Sequence, residues 1–288
     1  MRTAAFCPGH ITGFFFPSDN REPVRAGSRG AGICIDKGAT SAVEMSKGTG
    51  KVAVTINGQA SDAPVTKAAV AALMGMRWLD VKVDTVLDLP AGEGFGMSAA
   101  GALSATAALA ELLDMPIEDA FMAAHVAEIE RHSGLGDVAA LSKGGVTFRV
   151  REGVPPFGEV MRIADDISIV ACVVGPAVST SAVLQDKVKK KALEQAGLDC
   201  WEDLYRDPTL DNFLRLSREF TVRSGIASDK VMEALQALDG LGPSSMIMLG
   251  NAVFATGDLD EEEKVLRRFG PVYRLNSDTR GPRVLSVE

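Results

Sequence analysis

The stretch GEGFGMSAAGALS, residues 92–104, places Gly92, Gly94 and Gly96 directly before an alanine-rich run that opens at Ser98. Pro90 leads into it. A helix start leaves backbone N–H groups without partners and carries partial positive charge. Glycines before it let the main chain approach a ligand closely, because no Cβ intervenes. Together they make an anion site suited to phosphate. The Ser98 hydroxyl is placed to cap the helix, to touch a phosphate or to ligate a phosphate-bound Mg²⁺. Three readings compete. The loop is a tight strand-to-helix turn whose glycines serve packing alone. Or it is a Rossmann turn, since Gly94-x-Gly96-x-x-Ala99 fits that fingerprint; but the helix after it leads into another helix, not into a second parallel strand. Or it is a phosphate loop of another kind. A Walker A loop is excluded: GTGKV at 48–52 lacks the hydroxyl residue and a following helix.

Other chemistries find little support. The histidines are His10, His125 and His132 alone, which argues against a His-based zinc site. Cys7, Cys34, Cys172 and Cys200 form no C-x-x-C pair and read as buried, reduced thiols. A net charge of −8 argues against a nucleic-acid surface but leaves room for an anionic small substrate held by a few local cations. No apolar run reaches the roughly 18 residues of a membrane span. The N-terminal stretch is unlike a signal peptide, so a cytoplasmic location is expected.

The elements that must position the loop follow from patterning. With 288 residues and 46% hydrophobic content, the chain supports one large domain or two ordinary ones. Short strands are expected over 2–6, 32–36, 40–45 and 51–56, with Asp36-Lys37-Gly38 as a hairpin turn. A helix follows, capped by Ser61 or Asp62, with Pro64 in its first turn. Residues 80–89 alternate as a half-buried strand. After the loop come helices over about 98–113 and 117–131, a short helix from Asp137, and a strand over 146–151. Residues 152–160 read as a linker, dividing the chain into 1–155 and 156–288. The second half offers a strand over 167–174, helices near 182–196, 209–224 and 229–238, two strands turning at Gly250-Asn251, a charged helix and a strand near 272–275. Elements alternate without a regular βαβ rhythm, which points to α+β.

The run from Pro90 to Ala100 resembles the phosphate loop P-x-x-x-G-L-G-S-S-A-A of the galactokinase, homoserine kinase, mevalonate kinase and phosphomevalonate kinase (GHMP) superfamily. CPGHITGFF at 7–15, HVAEIERHSGLGDVAAL at 125–141 and GPSSMIMLGNAVFA at 242–255 are similar, in the right order, to its other motifs. The resemblance spans nearly the whole chain. It implies a ribosomal protein S5 domain-2-like N-terminal domain, a ferredoxin-like C-terminal domain, an active site between them, and ATP with Mg²⁺ as cofactors. It further implies that Pro90, Gly92, Gly94, Phe95, Gly96, Met97, Ser98, Ala99 and Ala100 form the nucleotide loop. Within the superfamily, the set of FCPGHITGFF, GSRGAGICIDKG, GEGFGMSAAGALS and SGLGDVAA resembles the archaeal branch. That branch phosphorylates the 4-hydroxyl of (R)-pantoate on the route to coenzyme A.

The same resemblance assigns roles. Asp137 is the catalytic carboxylate, orienting the substrate hydroxyl and accepting its proton; an N-cap is the plain alternative. Ser98 supplies a hydroxyl to Mg²⁺. Glu128 and Glu130 compete for the metal carboxylate, because two residues apart on a helix they face different sides; Glu128 is favoured. Arg29, with Ser28 beside it, is expected to hold the pantoate carboxylate. His10, where mevalonate kinase-like members carry lysine, is a candidate catalytic residue, expected to bind substrate, bias the charge of Asp137 or donate a proton. Thr180 is expected to contact substrate. Met97 stands where the loop usually has its first serine, which removes one hydroxyl contact. The sugar motif of galactokinases is absent. The resemblance also implies a homodimer. Two alternatives stay open: a kinase for another small hydroxy acid or alcohol such as mevalonate, homoserine or shikimate, and a nucleotide-binding sensor on the same fold.

Overall fold

Long runs of apolar and small residues near the N-terminus form two extended strands, β1 (Arg2–Pro17) and β2 (Ser28–Lys47), antiparallel along nearly their whole length. They come from a computed structural model that describes residues 1–18, 20–176 and 187–287. Next come β3 (Val52–Ile56), β4 (Gln59–Ser61), α1 (Pro64–Met74) and β5 (Leu79–Leu87). The loop leads into α2 (Met97–Leu112), followed by α3 (Ile117–Glu130), α4 (Asp137–Leu141), β6 (Val146–Arg151) and β7 (Glu159–Ala164). The rest comprises β8 (Ser168–Val173), α5 (Lys187–Arg206), α6 (Leu210–Ser224), α7 (Asp229–Ala237), β9 (Ser244–Ile247), β10 (Ala252–Ala255), α8 (Leu259–Leu266), β11 (Val272–Asn276) and β12 (Arg283–Val287).

Two sheets organise these elements into the expected α+β architecture. The larger runs β12-β1-β2-β5-β3-β4, with β6 pairing β2 and β7 pairing β6. Only its β3–β5 pair is parallel among the described residues. The smaller runs β11-β8-β10-β9, all antiparallel. Helix α2 is the central strut: it packs against β1 and β2 on one side and α1 and α3 on the other. Of its residues, only Ser98 and Glu111 are exposed. Its alanines and Gly101 allow close approach on every side, and leucines such as Leu103 and Leu109 fill the remaining space. The hydroxyls that become buried there are paired, Ser41 bonding both Ser104 at 2.7 Å and Thr85 at 2.8 Å.

Several local expectations need correction. Asp36-Lys37-Gly38 is not a turn but part of β2. The strand has neighbours on both sides here, Pro8 opposite Gly38 and Leu87 opposite Ala39, and a register shift at Pro8/Gly9 absorbs the bend. Neither Ser61 nor Asp62 caps α1; Ala63 occupies the cap position in the left-handed region, with no side-chain bond. The large sheet is not confined to residues 1–155, since β7 joins it through β6 and β12 joins it through β1. The C-terminal strand thus returns across the molecule to the N-terminal strand. No helix among the described residues is long and apolar enough to cross a membrane.

Candidate active site

The glycine loop, the start of α4, the end of α3 and the β9–β10 turn converge on a cleft of about 130 Å³. Gly92, Gly94 and Gly96 hold φ of +85°, +85° and +69°, conformations that L side chains rarely adopt. Gly96 forms the N-cap of α2. A Cβ there would lie 2.9 Å from the His10 nitrogen and 3.0 Å from its carbonyl oxygen, so the loop is seated directly on β1. His10 N–H donates to the Phe95 carbonyl at 3.0 Å, fixing that seat. Gly92, Gly94, Gly96, Met97, Ser98 and Ala99 line the cleft. Phe95 and Ala100 are buried behind it, with Phe95 edge-on to Tyr273, and Pro90 is exposed. A second, mainly apolar cavity of about 190 Å³ shares Gly92, Met97 and Ser98 and runs toward Ile56, Val65 and Leu87.

Opposite the loop, Asp137 opens α4 with its side chain 27% exposed. Its Oδ1 lies 2.7 Å from Nδ1 of His10, which is fully buried. Burial drives the His10 pKa below its ordinary value, the Asp137 contact opposing. The imidazole is therefore neutral, with its proton on Nδ1 donated to Asp137 and Nε2 left without a partner. Burial alone would raise the Asp137 pKa, but the His10 hydrogen bond, helped by Arg149, holds it below the ordinary carboxylate value. Asp137 is thus an ionised carboxylate that borders the cleft, with the Thr12 hydroxyl also helping to hold its pKa down.

Glu128 is buried and lines the same cleft, whereas Glu130 is exposed. Burial first, and Asp137 second, push the Glu128 pKa well above normal. One of its oxygens, Oε2, has no partner. A buried carboxylate with an orphan oxygen, across a cleft from the exposed Ser98, suits a hard cation completed by phosphate oxygens and water.

The structure brings together Asp137, His10, Ser28, Ser98, Glu128 and most of the loop. It does not bring Arg29 to the cleft. Arg29 Nε donates to Glu152 Oε2 at 2.6 Å, and its guanidinium lies 5.4 Å from the centre of the Trp201 ring. Thr180 lies outside the described residues. Ser244 and Ser245 face Arg218 and Thr221 rather than the cleft; the turn after them supplies Met248 and Leu249 instead.

Sequence reasoning missed Arg149. This β6 arginine is 2% exposed and lines the cleft. It contacts Ser28 only at long range, Nε to the carbonyl at 3.4 Å and Nη2 to Oγ at 3.5 Å, and its Nη1 has no partner. The signal was present: TFRVR places a cation between the apolar Phe148 and Val150 inside a strand, and a buried arginine without a full set of partners is waiting for an anion. Thr12 was missed as well; its Oγ1 lies 3.4 Å from His10 Nδ1, and it borders the cleft.

Comparisons with known proteins place the chain among kinases. Residues 64–145 match the family model described as GHMP kinases N terminal domain. A pantoate kinase of Methanospirillum hungatei is 36% identical, covering 100% of this chain and 98% of the relative. One from Thermococcus kodakarensis is 34% identical, covering 92% of this chain and 90% of its own. A solved structure described as a phosphotransferase related to the CoA biosynthesis pathway superposes with a TM-score of 0.88 at 32% identity, covering 99% of this chain and 98% of that one.

Proposed function

The chain belongs to the pantoate kinase family of the GHMP kinases, and from that premise we propose that it transfers the γ-phosphoryl group of ATP to the 4-hydroxyl of (R)-pantoate, giving 4-phosphopantoate and ADP for coenzyme A synthesis. The observation that carries the substrate assignment is Arg149. Its buried, under-partnered guanidinium, beside Ser28 and across the cleft from the phosphate loop, suits a small molecule bearing one carboxylate. Arg149, rather than the ion-paired Arg29, supplies the fork, and the Ser28 hydroxyl lies next to it.

The mechanism follows from the chain's own groups. Backbone N–H groups at the start of α2 and the Gly92–Gly96 loop cradle the phosphates, and the adjoining apolar cavity accepts the nucleoside side. Arg149 anchors the substrate carboxylate and so turns the hydroxyl toward Asp137. The Asp137 carboxylate orients that hydroxyl and accepts its proton as the oxygen–phosphorus bond forms and the bond to the leaving ADP oxygen breaks. Neutral His10 keeps Asp137 fixed and ionised through one hydrogen bond. Ser98 and Glu128 would hold Mg²⁺, which neutralises phosphate charge when bound. A cytoplasmic location and a homodimer complete this reading.

The experiment is ADP release with ATP and Mg²⁺ against pantoate, pantothenate, mevalonate, homoserine and shikimate. Turnover with pantoate and none with the others is expected. Turnover with another acceptor in place of pantoate would overturn the substrate assignment while leaving the loop chemistry intact.

A further inference from the structure

The phosphate loop carries an acid that the mechanism does not use. Glu93 lies between Gly92 and Gly94, which line the cleft, yet does not itself line it. It is 8% exposed, and its Oε2 has no partner. The group that meets its carboxyl is the backbone N–H of Asn251, in the β9–β10 turn of the other sheet. The two loops touch backbone to backbone at this place. A Cβ on Gly250 would lie 2.1 Å from the Glu93 carbonyl oxygen, and one on Gly94 would lie 2.7 Å from Ile247 Cγ2. The turn is tightly held, with Leu249 at φ +62°, rare for a branched side chain. Met248 and Leu249 form part of the cleft wall.

Asn251 is also tied on its other side. Its Oδ1 accepts from Ser228 Oγ at 2.8 Å, at the N-cap of α7. Its Nδ2 donates to the Pro176 carbonyl at 2.8 Å, and its own carbonyl accepts from Val174 N–H at 2.7 Å. Besides the Ile247–Gly94 and Tyr273–Phe95 contacts, the smaller sheet and the helix packed on it thus reach the phosphate loop through one asparagine and one buried acid.

We propose that Glu93 is a positioning residue for nucleotide binding: its buried carboxyl seats the glycine loop against the Asn251 turn and so sets the direction of the backbone N–H groups that receive phosphate. Its contribution is as a hydrogen-bond acceptor and spacer, not as a charge. A negative charge beside a phosphate site opposes binding, and no cation among the described residues pairs with it. Burial raises its pKa, which favours the uncharged form. A glutamine of the same shape preserves the acceptor and removes the charge. The inference rests on the kinase reading only in placing ATP at this loop, not in naming the acceptor.

The test is the dissociation constant for Mg·ADP, measured by titration calorimetry without any acceptor, alongside thermal unfolding to confirm a folded chain. Glu93→Gln is expected to bind within about threefold of wild type or more tightly, and Glu93→Ala more weakly by about tenfold or more. Asn251→Ala, which leaves the loop untouched but frees the turn from Ser228 and Pro176, is expected to weaken nucleotide in the same direction. In turnover with pantoate, the Glu93→Ala defect should fall on the KM for ATP and leave the KM for pantoate within about threefold. Glu93→Ala binding like wild type, or Glu93→Gln as weak as Glu93→Ala, would overturn the proposal. A wild-type chain that binds no nucleotide would overturn the kinase reading, and this inference with it; nucleotide binding without turnover of pantoate would remove only the acceptor assignment.

Discussion

Replacing Arg149 by glutamine tests how this cleft selects an acid. The structure supplies the magnitude. Nη1 has no partner, and the contacts to Ser28 are long at 3.4 and 3.5 Å, so the fork is available to a ligand with little competition from the protein. A hydrogen bond to a charged group contributes about 1.5–3 kcal/mol, and a bidentate pair lies at the upper end. Taking about 3 kcal/mol at about 1.4 kcal/mol per tenfold, the KM for pantoate should rise about 150-fold in Arg149→Gln. Arg149→Lys retains the charge but loses the fork, so a rise of about tenfold is expected. Arg149 also helps hold Asp137 ionised, after burial and the His10 contacts. Its loss should therefore move the acid limb of kcat to higher pH as well. The assay is steady-state ADP release with pantoate and ATP varied in turn, on variants shown to be folded. A pantoate KM that rises less than about threefold would refute the reasoning, as would an ATP KM that rises equally.

Other perturbations have directions set by the same geometry. His10→Ala removes the donor to Asp137 Oδ1; the carboxylate pKa then rises, and because the base works only when ionised, the acid limb of kcat should move to higher pH, with His10→Asn intermediate. An unmoved limb in a pH–rate profile would separate His10 from Asp137. Gly96→Ala puts a Cβ 2.9 Å from the His10 nitrogen at φ +69°, so it should weaken nucleotide binding by about tenfold or more in a titration and lower the melting temperature. Glu262 is a stability probe remote from the cleft. Burial, reinforced by Asp258, pushes its pKa from 4.5 to about 7. Because the folded value is raised, its contribution is intact below about pH 4.5 and is lost as pH rises through 7, by up to roughly 3 kcal/mol. Thermal unfolding of Glu262→Gln should therefore gain on wild type between pH 5 and pH 8, whereas a constant offset would contradict the assignment.

The chemistry-bearing segments were legible because local rules govern them. Glycines before a helix, an aspartate opening a short helix and two glutamates on opposite helix faces read correctly from spacing. Spacing put Glu128 and Glu130 on different faces, while the resemblance suggested the phosphate loop, the His10–Asp137 link and the choice of Glu128; in the structure the loop, Asp137 and Glu128 border one cleft, His10 bonds Asp137, and Glu130 is exposed. What spacing could not give was long-range pairing. The continuity of β2 through Asp36-Lys37-Gly38 depends on partners at Pro8 and Leu87, and the place of β12 depends on a return from the far end of the chain. The same limit hid the acid anchor. Arg29 sits among glycines and so resembles a ligand-facing residue, but Glu152, more than 100 positions away, pairs with it. Arg149 sits in a strand that reads as core, and only the assembled sheet shows its guanidinium opening into the cleft.

The central claim is that the ionised carboxylate of Asp137 receives the proton of the pantoate hydroxyl as phosphate is transferred. The direct measurement is kcat of Asp137→Asn at saturating ATP and pantoate, paired with its Mg·ADP dissociation constant. Asparagine keeps the shape and an oxygen for the His10 Nδ1–H but cannot take a proton at cleft pH. The account predicts nucleotide binding within about threefold of wild type and kcat reduced by about 10²–10⁴. Turnover within about threefold of wild type, with binding intact, would contradict it.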